Sequence, residues 1–142
     1  MDNLEIRPIK NKKELDQIIE IRKQVFVKEQ DVPLDLEVDG LDPEAEHIIA
    51  YYNGKPIGCA RIRTNDYCKL ERIAILKEYR NRGFGKKLTK YLVNYCKSKN
   101  FNEISLHSQT YVSDFYKKLG FKERGKTFFE AGIEHIEMYM KI

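Results

Sequence analysis

A chain of 142 residues, 42% of them hydrophobic and none of them tryptophan, is long enough to bury a core without help from disulfides or metal. Its net charge is only +4, and no window approaches the roughly 20 apolar residues that cross a bilayer, so a helical membrane span is excluded. The three cysteines at 59, 68 and 96 lack the paired spacing of a zinc or redox site, and MDNLEIRP lacks the basic-then-apolar pattern of a secretion signal. One domain over residues 1–142, in a reducing cytoplasm, is the simplest expectation.

Taken in order, residues 4–9 alternate as a first strand, and Asn11 with Glu14 has capping-box spacing. Leu15, Ile18, Ile19, Val25 and Phe26 then recur at helical spacing, predicting a helix to about Phe26. The segment 27–46 carries Pro33, Gly40 and Pro43 and reads as a long loop with at most a short helical turn, a candidate wall for a substrate pocket. Strands at 47–52 and 56–63 flank Asn53-Gly54, a hairpin signal because both central positions of a type I′ turn need positive φ. A fourth strand at 69–76 leads through a loop to a helix at 84–97, whose buried stripe is Leu88, Tyr91, Leu92, Tyr95 and Cys96. A fifth strand follows at 101–106 and a short helix at 110–119 before Gly120; a last hairpin, 121–129 and 133–141, turns at 130–132.

This order implies an α/β fold: a mixed, mostly antiparallel central sheet of about seven strands with helices on both faces. The fourth and fifth strands, joined by a crossover helix, should be parallel. A ligand at the start of that helix then lies beyond the carboxyl end of the fourth strand, where free N–H groups and the helix dipole favour an anion.

Charge is polarised along the chain. Residues 29–46 hold eight acidic side chains and no Lys or Arg, whereas 77–99 hold eight basic and one acidic. Two solvated faces would explain this, as would two ligands of opposite sign, an anionic cofactor and a cationic substrate. Nucleic acid is the weakest fit, because the basic segment offers no aromatic platform outside its buried helix face.

The loop Arg80-Asn81-Arg82-Gly83-Phe84-Gly85 fails the two common phosphate patterns. Gly85-Lys86 is followed by Lys87 rather than Ser or Thr, and the third glycine of a dinucleotide fingerprint is replaced by Leu88. It does match R-x-x-G-x-G, and in this the chain resembles the GNAT superfamily of N-acetyltransferases. Ile73-Ala74-Ile75-Leu76, Tyr79-Arg80 and residues 83–88 are similar to that family's cofactor motif; Phe115-Tyr116 with Leu119-Gly120-Phe121 is similar to its later F-Y-x-x-x-G-F motif. Val25-Phe26-Val27, Glu29-Gln30, Asp39, His47, Gln109, Phe129-Glu130, Gly132-Ile133, His135 and Met138 resemble more narrowly the ElaA-like branch, whose acceptors are poorly defined.

The resemblance implies acetyl-CoA as co-substrate. Backbone N–H groups of Asn81, Arg82, Gly83, Phe84, Gly85 and Lys86 would face the pyrophosphate beside Arg80, and the backbone of Ile73, Ala74 and Ile75 would pair with the pantetheine arm as an added strand. Arg82, Lys86 and Lys87 are charges suited to the 3′-phosphate. Gln109 stands where many members have a pantetheine-contacting Asn. Tyr116 is the implied acid for the departing thiolate: a phenol with an ordinary pKa of about 10 is protonated at neutral pH, and a thiol near about 8.5 needs only modest help. A backbone N–H near Ile75 would serve as oxyanion donor.

Glu71 is the first choice of base, with strand alternation placing it on the face of Lys69 and Ile73 and turning Arg72 away. Glu37, Asp39 and His47 are alternatives. The histidines at 47, 107 and 135 are scattered in sequence and read as structural, so no metal is expected. Cys59, mid-strand without a neighbouring histidine, reads as packing, which favours direct attack over an acyl-thiol intermediate. The resulting expectation is transfer of acetyl to a primary amine of a small molecule or peptide, with the acidic segment favouring a cationic acceptor; the alternative is a non-catalytic acyl-CoA sensor. Acceptor identity, acyl-chain range and the choice between monomer and homodimer stay open.

Overall fold

The computed structural model describes residues 3–142. Leu4–Pro8 forms β1, and Asn11 opens α1, Lys12–Arg22, by accepting the Glu14 N–H at 3.0 Å on its side-chain oxygen. The Glu14 carboxylate does not close the box on Asn11. It accepts instead from the Lys10 N–H at 2.7 Å and from two guanidinium nitrogens of Arg7 at 2.9 and 2.6 Å. Periodicity predicts an end near Phe26, but the chain continues as a π-helical stretch, Lys23–Glu29. The wider turns keep Val25 buried while bringing Glu29 to Arg80 and Gln30 to Gln109.

The acidic segment contains one short helix, α2 (Leu34–Glu37), and a 3-10 turn at Asp42–Glu44. β2 (Glu46–Tyr52) and β3 (Lys55–Thr64) form the expected hairpin, with Asn53 at φ 51° and Gly54 at φ 81°. Then follow β4 (Cys68–Ile75), α3 (Phe84–Ser98), β5 (Glu103–Gln109), α4 (Ser113–Lys118), β6 (Lys122–Glu130) and β7 (Ile133–Lys141). The strands make one seven-stranded sheet in the order β1-β2-β3-β4-β5-β7-β6. Its neighbours are antiparallel except for the parallel β4/β5 pair.

Each face is sealed by a helix stripe. Leu88, Leu92 and Cys96 of α3 pack on Ile48, Ile62, Leu70, Ile104, Leu106 and Met138; Ile18, Ile21 and Val25 pack on Ile49, Cys59 and Ala74 from the other side. Every large aliphatic side chain so buried contributes about 1.5–3 kcal/mol. Tyr91 and Tyr95, predicted for the α3 stripe, are only half-buried at its margin.

β4 breaks its own alternation. Cys59 pairs with Ala74 and Arg61 with Glu71, so Arg72 and Ile73 together oppose Ala60 in a β-bulge, with Arg72 at φ 53°. Before the bulge Leu70 faces α3; after it Ile73 and Ile75 do, and Ala74 faces α1. Glu71 and Ile73 therefore lie on opposite faces, and Arg72 joins Glu71 on the α1 side, which corrects the expectation from simple alternation. Gly58 permits the tight approach of β3 here: a Cβ on it would stand 2.6 Å from Cδ1 of Ile75 and 3.0 Å from the Ala74 carbonyl oxygen.

Candidate active site

The functional geometry starts where two parallel strands part. β4 and β5 are paired only from Cys68 opposite Ile104 to Leu70 opposite Leu106. Beyond that point they diverge, and Arg72 and Ile73 have no register partner in β3 or in β5. Their backbone is a strand edge inside the protein, open to an extended ligand. At the wide end lies the loop before α3. Asn81 at φ 63° and Gly83 at φ 82° turn the chain twice through the left-handed region, so that α3 begins with its first N–H groups facing the gap. The 15-residue length of α3 gives those groups a full helix dipole.

A cleft of about 920 Å³ joins these features. Glu71, Ile73, Ala74, Ile75, Arg80, Asn81, Gly83, Gly85, Lys86, Gln109 and Tyr116 all line it. The side chains of three other expected cofactor residues, Arg82, Phe84 and Lys87, point elsewhere. Phe84 is an anchor beneath the loop, packed with Ala50 and Ile57, and Arg82 and Lys87 border a separate hollow beside Tyr52 and β1. The guanidinium of Arg82 lies 5.4 Å from the Tyr79 ring centre. Of the three cations considered for the 3′-phosphate, Lys86 is the one on the cleft.

Arg80 is already occupied. Its Nε donates to the Ile75 carbonyl at 2.9 Å, and its terminal nitrogens donate to Glu29 at 2.9 and 2.8 Å. Its side chain thus ties the loop to the end of β4 and to the π-helical stretch. Gln109 donates from Nε2 to Gln30 Oε1 at 2.8 Å across the cleft.

Tyr116 has the environment of a proton donor. Its ring is wedged between Phe115 and Phe121, with centroids at 5.0 and 5.8 Å, and its hydroxyl has no hydrogen-bond partner among the described residues. Burial pushes the phenol up to about 12, so it holds its proton at neutral pH. Cys59 is fully buried, donates to the Arg72 carbonyl at 3.5 Å and is likewise raised to about 12, an inert thiol.

Glu71 lines the cleft but is surrounded by cations. Burial alone would raise its pKa; the Arg63 hydrogen bond and the charges of Arg61 and Lys69 outweigh that and hold it below the usual carboxylate range. Such a carboxylate is a weak base. The alternatives are no freer. Glu37 is ion-paired with Arg22, Asp39 with Arg61 at 2.8 Å and Arg72 at 3.3 Å, and Asp42 with Arg22 at 2.9 Å and Arg61 at 3.0 Å. His47 is buried and donates from Nε2 to the Asp42 carbonyl at 2.9 Å. Four of the acidic segment's eight carboxylates, Glu29, Glu37, Asp39 and Asp42, are thus paired with the protein's own arginines, and these pairs dock the cleft wall to the sheet.

One constellation was not expected. The β6–β7 turn at Ala131 and Gly132 returns the chain so that Phe128 pairs with His135, and Glu130 lies between His135 and His107 of β5. His107 donates from Nδ1 to Glu130 at 3.1 Å, and Nε2 of His135 lies 3.9 Å from the same carboxylate. All three line the cleft. Chiefly through the His107 hydrogen bond, Glu130 is held below the usual carboxylate range. Among the described residues there is no group of three or more metal-ligating side chains able to hold an ion.

Residues 10–142 match the family model described as an acetyltransferase (GNAT) domain. The uncharacterized N-acetyltransferase YjcF of Bacillus subtilis (strain 168) is 41% identical over 131 residues, covering 91% of this chain and 94% of its own. Escherichia coli ElaA shares the fold at TM-score 0.86 and 23% identity, over 99% of both chains. A GNAT family acetyltransferase from Elizabethkingia anophelis, solved with acetyl-CoA bound, shares it at TM-score 0.78 and 19% identity, over 100% of both. Sequence and fold agree: the chain belongs to the GNAT family of acetyltransferases.

Proposed function

We propose that this acetyltransferase uses acetyl-CoA to acetylate a primary amine of a small molecule or peptide by direct attack, as one domain over residues 1–142, close to the ElaA-like branch. The observation that carries the reading is the unpaired edge of β4 at Arg72 and Ile73 facing the same cleft as the Tyr116 hydroxyl, which has no hydrogen-bond partner among the described residues. An extended pantetheine arm satisfies that edge, and the N–H groups at the start of α3 with Lys86 suit its phosphates. In this reading the amine nitrogen attacks the thioester carbon, a backbone N–H of the open edge supports the oxyanion, and the Tyr116 hydroxyl supplies the sulfur with its proton. The buried state of Cys59 supports attack without an acyl-thiol intermediate. Three free, buried cysteines are in keeping with a reducing cytoplasm.

Calorimetric titration with CoA, followed by release of free CoA thiol from acetyl-CoA in the presence of a primary-amine panel, tests the reading. One-site binding with amine-dependent release is expected. A folded protein that binds no CoA would overturn it, and binding without turnover would reassign the chain to acyl-CoA sensing.

A further inference from the structure

We propose that the His107–Glu130–His135 cluster receives the acceptor as the ammonium ion of an amine carried on an apolar body, and that Nε2 of His135 takes the proton that must leave before attack. The inference rests on the acetyl-transfer reading above.

The hydrogen bonds of His135 fix its tautomer. Nδ1 lies 2.7 Å from the Ile133 carbonyl oxygen, which only accepts, so Nδ1 carries the hydrogen and Nε2 of the neutral ring presents a lone pair. His135 lines the cleft, and the Glu130 carboxylate lies 3.9 Å from that nitrogen. The separation is too long for a hydrogen bond in the neutral state but short enough to stabilise an imidazolium once the proton arrives. Glu130 in turn is oriented by the Nδ1–H of His107, whose ring packs edge-on against Phe128 at 4.9 Å.

Position argues the same way. His135 stands directly opposite Gln109 on the neighbouring strand, at the open side of the β4/β5 gap. The gap closes at Leu70 and Leu106, so an arm entering from the α3 loop ends beside Glu71, His107 and this cluster. The other carboxylates on the cleft are spoken for: Glu71 by Arg63, Asp39 and Glu37 by Arg61, Arg72 and Arg22. On β7 itself, Glu134 accepts from Thr110 and Glu137 from Arg124. Lys69 is the remaining cation near Glu130, 3.8 Å from Glu71. The same cleft also carries apolar lining from Phe26, Val32, Leu36, Leu41 and Tyr111, with Leu36 51% and Leu41 38% exposed. One ammonium site with apolar lining fits a hydrophobic monoamine better than a polyamine.

The step balances. The ammonium N–H bond breaks and its proton goes to Nε2 of His135, which later releases it to solvent. The freed nitrogen lone pair forms the N–C bond as the carbonyl π pair moves to oxygen; its return breaks the C–S bond, and sulfur takes the Tyr116 proton. The second proton leaving the new amide nitrogen restores Tyr116 through water. The net products are the acetamide, CoA thiol and one proton.

Long-range proton–nitrogen NMR of the CoA-loaded protein, titrated with n-hexylammonium chloride, tests this directly, with CoA calorimetry of wild type, H135Q and E130Q alongside. The expected result is an Nδ1–H tautomer for His135, a saturable shift of its Nε2 resonance by the amine that E130Q weakens at least about fivefold, and unchanged CoA affinity in both variants. With the panel amine turned over fastest, H135Q should lower kcat/KM about 100-fold and remove the acidic limb of the pH profile. An Nε2–H tautomer, no response of His135 to saturating amine while CoA is bound, or an H135Q pH profile like wild type would overturn it. Loss of CoA binding in the wild type would instead strike the donor reading.

Discussion

Arg80 reaches back to donate to the carbonyl oxygen of Ile75 at 2.9 Å, so the last residue of β4 and the loop before α3 are held as one piece. Its second attachment, to Glu29, is partly exposed. R80A should therefore weaken CoA binding about tenfold, equivalent to about 1.4 kcal/mol. E29Q should weaken it no more than about fivefold, because partly exposed pairs contribute at most about 1 kcal/mol. Calorimetry on both variants checks the order.

Tyr116 should behave as an acid rather than as a packing residue. Y116F keeps the ring contacts with Phe115 and Phe121, so CoA affinity and thermal stability should stay near wild type. The acetyl-transfer rate should fall about 10²–10⁴-fold. With the phenol raised to about 12, no alkaline limb from Tyr116 should appear until the pH approaches that value. Steady-state kinetics with pH variation measures both.

Arg22 and Glu37 form an ion pair whose side chains are 2% and 4% exposed. E37Q leaves Arg22 with Asp42 as its remaining carboxylate partner and should cost about 3 kcal/mol, the lower end for a broken buried pair. Replacing both, R22M with E37L, should recover most of that loss. Urea unfolding of the two variants tests whether this network fixes the cleft wall or merely decorates it.

Acid should unfold the protein earlier than its core predicts. Hydrogen bonds from Arg7 hold Glu14 at about 2 instead of 4.5, and Asp39, Asp42, Glu71 and Glu130 are all lowered as well. A carboxylate depressed by folding adds stability that is complete above its unfolded value and is lost as pH falls toward its folded one. Melting temperature should therefore be nearly flat from pH 7 to about 5 and fall steeply between about 4.5 and 2, with E14Q showing a shallower fall.

The seven strands, the parallel β4/β5 pair, the type I′ hairpin and the α3 loop were legible in the chain because each rests on local chemistry: alternation, a crossover helix, Asn53-Gly54, and glycines before an amphipathic helix; the full strand order was not. The bulge was missed although the apolar positions change parity across Glu71-Arg72, from Cys68 and Leu70 to Ile73 and Ile75; no glycine marks it, and the register of β3 against β4 fixes where the extra residue falls. The acidic segment misled for a related reason. Its carboxylates meet Arg22, Arg61 and Arg72 from three different elements, pairings that arise only in the folded chain. The histidine cluster was within reach. Closing the last hairpin with a two-residue turn at Ala131 and Gly132 sets Phe128 against His135, and pairing β7 with β5 sets Gln109 opposite the same residue. Parity then puts Glu130, His135 and His107 on one face; reading the histidines as scattered in sequence hid it.

The most direct measurement is mass spectrometry of a primary-amine panel incubated with the protein and acetyl-CoA carrying an isotopically labelled acetyl group. The expected result is a labelled acetamide formed in step with free CoA, fastest for amines on apolar bodies and strongly reduced with Y116F. A folded, CoA-binding protein that transfers no label to any amine above the protein-free rate would contradict acetyl transfer as the function.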